Sequence, residues 1–175
     1  MVVLRATKKV LKGLPESAKE TDSSDTALGD WYVNRLVVDR QPLLLLVSSE
    51  SRLAMLTPAR DVRNLPNRID QMVAARLRRL RIDEQLIRAE VATMGTVHVG
   101  RTQDRSITGQ MVDFAKAIPY FLPVGEWDDS SLRLAEDRLA ETPCLASGSL
   151  GEAIVPDRTT ARLLQERWAY HENVQ

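Results

Sequence analysis

The segment DRSITGQMVDFAKAI, residues 104–118, places groups that could bind an anion at the expected start of a helix. Arg105 carries a positive charge, and Ser106 is an ordinary N-cap residue. The first N–H groups of a helix lack partners, and the helix dipole is positive at that end, so an anion is favoured there. We therefore expect a polar or anionic group to bind near Arg105 and Ser106.

Gly109 is unexpected inside this helix, because a glycine there costs about 1 kcal/mol relative to alanine. The apolar residues of the helix fall on one stripe: Ile107, Met111, Phe114, Ala115 and Ile118. Gly109 lies on the other side, with Asp113 and Lys116. Two explanations stay open. Another helix or strand crosses close to the bare backbone, or a ligand or partner approaches there with Asp113 and Lys116 at its rim.

A second cluster of polar and aromatic residues is GDWYVN, residues 29–34. Gly29 permits a tight turn before an expected strand. Aromatic packing at the strand start explains the cluster as structure. A ligand-binding wall made by Asp30, Trp31 and Asn34 explains it as a site.

Arg76 projects into the apolar stripe of the helix predicted over residues 66–81. A buried charge without a partner is costly, and Glu90 falls inside the apolar arc of the following helix. We predict that Arg76 pairs with Glu90, or with Asp113, either as a structural ion pair or as part of a functional polar pocket. A long arginine that reaches out to solvent is the remaining alternative.

The other reactive side chains are isolated. His98 and His171 do not share the spacing of metal ligands, so we expect no metal site. Cys144 follows a proline in a loop, and nothing local indicates a lowered thiol pKa, which favours a spectator role. Nucleophile-elbow, phosphate-loop and dinucleotide-binding motifs do not occur. The sequence therefore predicts no catalytic residue and no cofactor.

The elements that would position these residues indicate an α+β fold. Three short β-type runs with brief connections predict an antiparallel meander over residues 31–39, 42–49 and 52–59. Further strands are expected at residues 2–6 and 96–102, giving a mainly antiparallel sheet. About five to six helices pack on this sheet: a basic turn after Thr7, residues 66–81, a helix capped by Asp83 and stopped by Gly95, residues 106–118 stopped by Pro119, residues 130–141 capped by Ser130 or Ser131, and residues 158–170.

Composition limits the class of protein. A chain of 175 residues with 43% hydrophobic residues and one cysteine predicts a single α+β domain over 1–175 without an internal disulfide. The polar residues 15–28 predict an exposed, mobile loop. No signal or membrane-spanning segment is evident, so we expect a soluble cytoplasmic protein with no membrane partner.

Nucleic acid is not an expected partner. The formal net charge is zero, and the aromatic content is 5%. The run RLRRLR, residues 76–81, spreads its charges around a helix instead of along one face, so they cannot follow a phosphate backbone.

Three motifs resemble a family of small bacterial proteins known only as a domain of unknown function. They are LRATKKVLKGL, LGDWYVN and RTQDRSITGQMVDF, against the family patterns L-R-C-T-K-K-L-L, L-G-D-W-Y-A-N and T-N-x-R-S-V-L-G-S-M-N-D. The identical positions are Leu4, Arg5, Thr7, Lys8, Lys9 and Leu11, then Leu28 to Tyr32 and Asn34, then Thr102, Arg105, Ser106, Gly109, Met111 and Asp113. Ala6 stands where the pattern has cysteine, and Gln103 and Val112 replace asparagines. The resemblance supplies no activity, substrate or partner.

Two functions from different classes follow. The first is a non-catalytic binding or interaction module that recognises a small anionic ligand or a protein partner near Arg105, Ser106 and Gly109. The alternative is a hydrolase or transferase acting on phosphate esters, nucleotides or nucleic acid through Asp30 and Asp113. That alternative requires the two carboxylates to converge in one cleft. A subunit of a larger assembly would instead expose an apolar patch.

Overall fold

A computed structural model describes residues 1–20, 22–125, 127–145 and 153–169. Its main sheet has five strands in the order β4-β3-β2-β1-β5. The strands are β1 (Val2–Ala6), β2 (Trp31–Val38), β3 (Gln41–Ser48), β4 (Ala54–Pro58) and β5 (Val97–Arg101). All five predicted strands are confirmed, and β2, β3 and β4 form the predicted antiparallel meander.

The sheet is mixed because β1 pairs in parallel with both of its neighbours. In the antiparallel part, eight residue pairs join β2 to β3 and five join β3 to β4. In the parallel part, three residue pairs join β1 to β2 and five join β1 to β5. Parallel strands need a crossover connection, and the long segments between β1 and its two partners supply it. The carboxyl ends of β1 and β5 therefore lie side by side.

The part of the chain that the structure describes contains seven helices. They are α1 (Lys8–Leu11), a 3₁₀ helix (Ala59–Asn67), α2 (Ile69–Arg79), α3 (Glu84–Ala92), α4 (Arg105–Phe121), α5 (Asp129–Glu141) and α6 (Pro156–Trp168). The 3₁₀ helix is the addition to the predicted set. In a separate two-stranded sheet, β6 (Cys144–Leu145) pairs antiparallel with β7 (Ala153–Ile154).

Helix ends differ from the predictions where another residue is the better cap. Asp104, not Ser106, caps α4, and its carboxylate accepts a hydrogen bond from Ser106 N at 2.7 Å. Asp128 caps α5, and Ser131 completes a capping box with it. Pro119 does not stop α4, because Leu122 N still donates to the Ile118 carbonyl across the last turn.

The sheet is covered on both faces, which gives two apolar cores. Helices α2, α3 and α6 pack on the face that carries Leu4, Trp31 and Leu44. Helices α4 and α5 pack on the face that carries Tyr32 and Leu45. Strand β3 is buried from both sides, as its apolar run predicts. No helix of the described ranges is long and apolar enough to cross a membrane.

The described residues of the segment 15–28, which lies between α1 and β2, are hydrogen-bonded to the sheet at several points. Ser17 N and Ala18 N both donate to the Val99 carbonyl at 2.8 Å. Farther along, Leu28 is fully buried and Asp25 forms an ion pair with the amino terminus. The predicted mobility of this loop stays a prediction, and any motion has to break these contacts.

Candidate functional site

The first two motifs meet in a buried ion pair between Arg5 and Asp30. Arg5, on β1, is 2% exposed, and its Nε donates to Asp30 Oδ2 at 2.8 Å. Ser24 donates to the other oxygen of Asp30 through its backbone N and its hydroxyl, at 2.9 and 2.8 Å. Both oxygens of the Asp30 carboxylate are thus already engaged within the chain.

The loop that covers this pair is attached by Asp22. Arg5 Nη2 donates to the Asp22 carbonyl, and the Asp22 carboxylate lies 3.2 Å from His98 Nδ1. The Asp22 carboxylate accepts a hydrogen bond from the backbone N–H of Lys19, and this bond lowers the pKa of Asp22 below its ordinary value. The hydrogen bond with His98 is the second cause and acts in the same direction. His98 therefore has a structural partner in the loop.

Asn34 and Tyr32 connect the motifs further. The Thr7 hydroxyl donates to Asn34 Oδ1 at 3.0 Å, which joins the first motif to the second. Asp104 N donates to the Tyr32 hydroxyl at 3.2 Å, which joins the second to the start of α4. Segments far apart in the sequence are thus held together at one end of the sheet.

Trp31 lies in the apolar core with no exposed surface. Trp31 does not form a ligand-binding wall with Asp30 and Asn34. Successive side chains of a strand point to opposite faces of the sheet, so Trp31 and Asn34 lie on different faces. The aromatic-packing explanation of the cluster therefore describes Trp31 in this structure.

The third motif presents an open helix face. We call Arg105, Gly109, Val112, Asp113 and Lys116 the α4 outer face; all five are exposed. Val112 keeps 51% of its surface exposed. Arg105 and Asp113 form no ion pair with any residue of the described ranges. The described residues therefore leave this face uncovered.

Gly109 is not explained by internal packing. Apart from the two adjacent residues and the neighbouring backbone of α4 itself, no heavy atom of the described residues lies within 4 Å of a Cβ built at Gly109. The expected crossing of another helix or strand is absent from the part of the chain that the structure describes. The second explanation, the approach of a ligand or partner, stays a prediction.

Substituting Gly109 with alanine should raise the free energy of unfolding by about 0.5–1 kcal/mol, because the helical backbone gains propensity and meets no obstruction. Urea unfolding measures this change. Gly29→Ala is the opposite-sign control, since Gly29 has φ +72° and its Cβ would lie 2.2 Å from Ser49 Oγ. A loss of stability in Gly109→Ala would show that the site is closely packed.

The start of α4 already contains charged groups. Arg52 Nη2 donates to Ser106 Oγ at 3.3 Å, and Asp104 occupies the N-cap. Burial lowers the pKa of the Arg52 guanidinium. The negative charges of Asp104 and Glu50 offset part of this lowering. The Asp104 carboxylate thus already accepts from the backbone at this end of the helix. Arg105 is the exposed cation beside it.

Arg76 and Glu90 are both buried, but they do not pair with each other or with Asp113. Arg76 Nη1 donates to Asp137 at 2.8 Å and Nη2 to the Glu136 carbonyl at 2.9 Å, both on α5. The Glu90 carboxylate instead accepts from Ala27 N, Leu28 N and Trp168 Nε1 at 2.8, 3.0 and 2.8 Å. The predicted pairing is wrong because α2 faces α5 across the sheet edge, whereas Glu90 faces the loop before β2.

Cys144 is buried on the short β6 strand. Burial raises the pKa of its thiol to about 11, and the nearby Asp113 charge acts in the same direction. Such a thiol is protonated at neutral pH and is a poor nucleophile.

The two carboxylates of the catalytic alternative have different surroundings. Asp30 is bound to Arg5 and Ser24, and Asp113 lies on the outer face of α4. Among the described residues, no group of three or more His, Cys, Asp and Glu side chains could hold a metal ion. A cavity of about 520 Å³ opens beside Asp30, but its lining includes Asp25, Glu50 and Glu166, which disfavour an anionic substrate.

Sequence reasoning missed Arg5 and Arg52. An arginine in the otherwise apolar strand VVLRA was the available signal for Arg5, because a charge on a buried strand needs a partner. Arg52 gave no comparable signal, since it lies in a turn with φ +62° and reaches Ser106 only through the fold.

The model of a family described as Domain of unknown function (DUF6933) matches residues 3–159. Neither a curated protein sequence nor a solved structure matches the chain.

Proposed function

The chain belongs to the DUF6933 family, and we propose that it is a non-catalytic binding module that recognises an anionic or polar group on the α4 outer face. The group binds beside Arg105 and Ser106, with the bare backbone of Gly109 allowing close approach. The observation that carries the proposal is that Gly109 lies on the exposed side of α4 and that no other described part of the chain packs on it.

The charges on this face support the proposal. Arg105 is exposed in the first turn of α4 and forms no ion pair with the described residues, so its guanidinium supplies the positive charge that attracts an anion. Lys116 adds a second positive charge on the same face. The catalytic alternative lacks comparable support, because Asp30 is committed to Arg5.

A thermal-shift screen tests this function directly. The probes are inorganic phosphate, nucleoside monophosphates, a short oligonucleotide and a short acidic peptide. We expect at least one probe to stabilise the protein, by about 2.7 kcal/mol at one hundred times its Kd. We also expect the effect to be lost in Arg105→Ala.

Arg133→Ala is the matched control. Arg133 is also exposed, but it lines a different basic cleft, between β4, α2 and α5, with Arg60 and Arg68. Stabilisation that survives in Arg105→Ala and disappears in Arg133→Ala would move the site to that cleft and overturn the proposal. An absence of any Arg105-dependent effect would overturn recognition of a free anion.

A further inference from the structure

The charges on the α4 outer face are arranged symmetrically about Gly109. Arg105 precedes the glycine by four residues, and Asp113 follows it by four. Residues four apart form one continuous row on a helix surface, the row that packs in the commonest class of helix crossing. This row thus has a cation at one end, an anion at the other and bare backbone at its centre.

Both charged ends of the row are available. Arg105 and Asp113 are exposed and form no ion pair with the described residues, and the space above Gly109 is open. Val112, 51% exposed, adds an apolar side chain next to the centre of the row. The row therefore carries charges, an apolar contact and room for close approach on one surface.

We infer that the α4 outer face binds the same face of a second copy of this chain, the two α4 helices crossing antiparallel at Gly109. In that arrangement Arg105 of each copy lies opposite Asp113 of the other, which makes two ion pairs related by a two-fold axis. The inference rests on the proposed function, because the anionic group recognised at Arg105 is then the Asp113 carboxylate of the second copy.

Self-complementary charge favours a second copy over other occupants. A nucleic acid or an acidic peptide would pair with Arg105 and Lys116 but would leave Asp113 without a cationic partner. A second copy provides a partner for both the cation and the anion. In a two-fold interface, if Arg105 of one copy contacts Asp113 of the other, the reverse contact also forms.

Glycine at the crossing point lets the helices approach closely. Helix axes in contact lie roughly 8–10 Å apart, and small side chains at the contact give the short end of that range. One crossing helix pair buries less surface than a permanent dimer does, so we expect a reversible, concentration-dependent dimer.

Charge reversal tests the arrangement by sedimentation velocity across a range of protein concentrations. Arg105→Asp and Asp113→Arg should each weaken dimerisation by about tenfold or more, because each places like charges opposite each other twice. The double variant Arg105→Asp/Asp113→Arg should restore dimerisation to near the original affinity. Arg88→Asp, on the exposed side of α3, is the matched control and should have no effect.

A cross-link tests the position of the two-fold axis. Gly109→Cys places two thiols at the crossing point, so mild oxidation should give a disulfide-linked dimer. Gly95→Cys is the control, since Gly95 is also exposed with open space around it but lies off α4. Cys144 remains buried in both variants. Equal cross-linking of the two variants would overturn the inferred axis.

The outcomes separate the two proposals. Dimerisation that is lost in the single charge variants and regained in the double variant supports both of them. A monomer at all concentrations, together with Arg105-dependent binding of a free anion, overturns the second copy and leaves the proposed function. A monomer that binds no anionic probe overturns both, and a dimer insensitive to all of these charges overturns the inferred interface.

Discussion

Replacing Arg5 by methionine should lower the free energy of unfolding by about 3–5 kcal/mol, the loss typical when one partner of a buried ion pair is removed. Methionine keeps much of the side-chain length, so the loss comes chiefly from the charge. Asp30, only 14% exposed, would keep its two hydrogen bonds from Ser24 but lose its cation. Urea unfolding monitored by circular dichroism measures the change.

Two further variants separate the charge from the packing at Arg5. Arg101→Met, on the neighbouring strand with 73% of its side chain exposed, should change stability by no more than about 0.5 kcal/mol. The double variant Arg5→Met/Asp30→Asn should recover part of the loss, because no unpaired charge remains. An Arg5→Met protein as stable as Arg101→Met would contradict the structural role of the ion pair.

Glu90→Leu should cost about 3 kcal/mol, because it removes the acceptor of three donors in the interior. Ala27 N, Leu28 N and Trp168 Nε1 would each lose a partner, at roughly 1–3 kcal/mol for each unsatisfied buried group, partly offset by removal of the buried charge. Hydrogen exchange should show faster exchange of the Ala27 and Leu28 amides. Glu84→Leu, exposed on the same helix, is the control and should change stability little.

The pH dependence of stability gives a second measurement on Glu90. Burial raises its pKa above the ordinary value of 4.5, and burial does the same for Glu136. Between 4.5 and the raised value the folded protein binds more protons than the unfolded chain, so stability falls as pH rises through that window. Glu90→Gln should flatten this slope. An unchanged slope would show that Glu90 does not titrate in that window.

The strands were predictable because their apolar runs and short turns are local signals. The run PLLLLVSS indicated a strand covered on both faces, and β3 is buried on both sides in the sheet. The parallel pairing of β1 had no local signal, since its partners begin at Trp31 and Val97. Strand identity is local, whereas strand order depends on the whole chain.

The candidate site was predictable in part for the same reason. Asp104, Arg105 and Gly109 lie within one short segment of the sequence, DRSITG. The start of the helix and its unusual glycine could therefore be predicted from local signals. The burial of Arg76 also followed from its place on the helix. Its partner did not, because the neighbouring helix in space is α5, whose Asp137 is remote in the sequence. Partner choice across elements is set by tertiary packing.

The interior position of β1, between β2 and β5, has a consequence for synthesis of the chain. Both neighbours of this strand leave the ribosome after it, and β5 does so only when Arg101 has emerged. Until then one edge of an apolar nascent strand has no partner, and unpaired edges invite aggregation. Arg5 places a charge within that strand, and a charge flanked by apolar residues acts as a gatekeeper against such association. The arginine that later anchors Asp30 thus also protects the strand before it is paired.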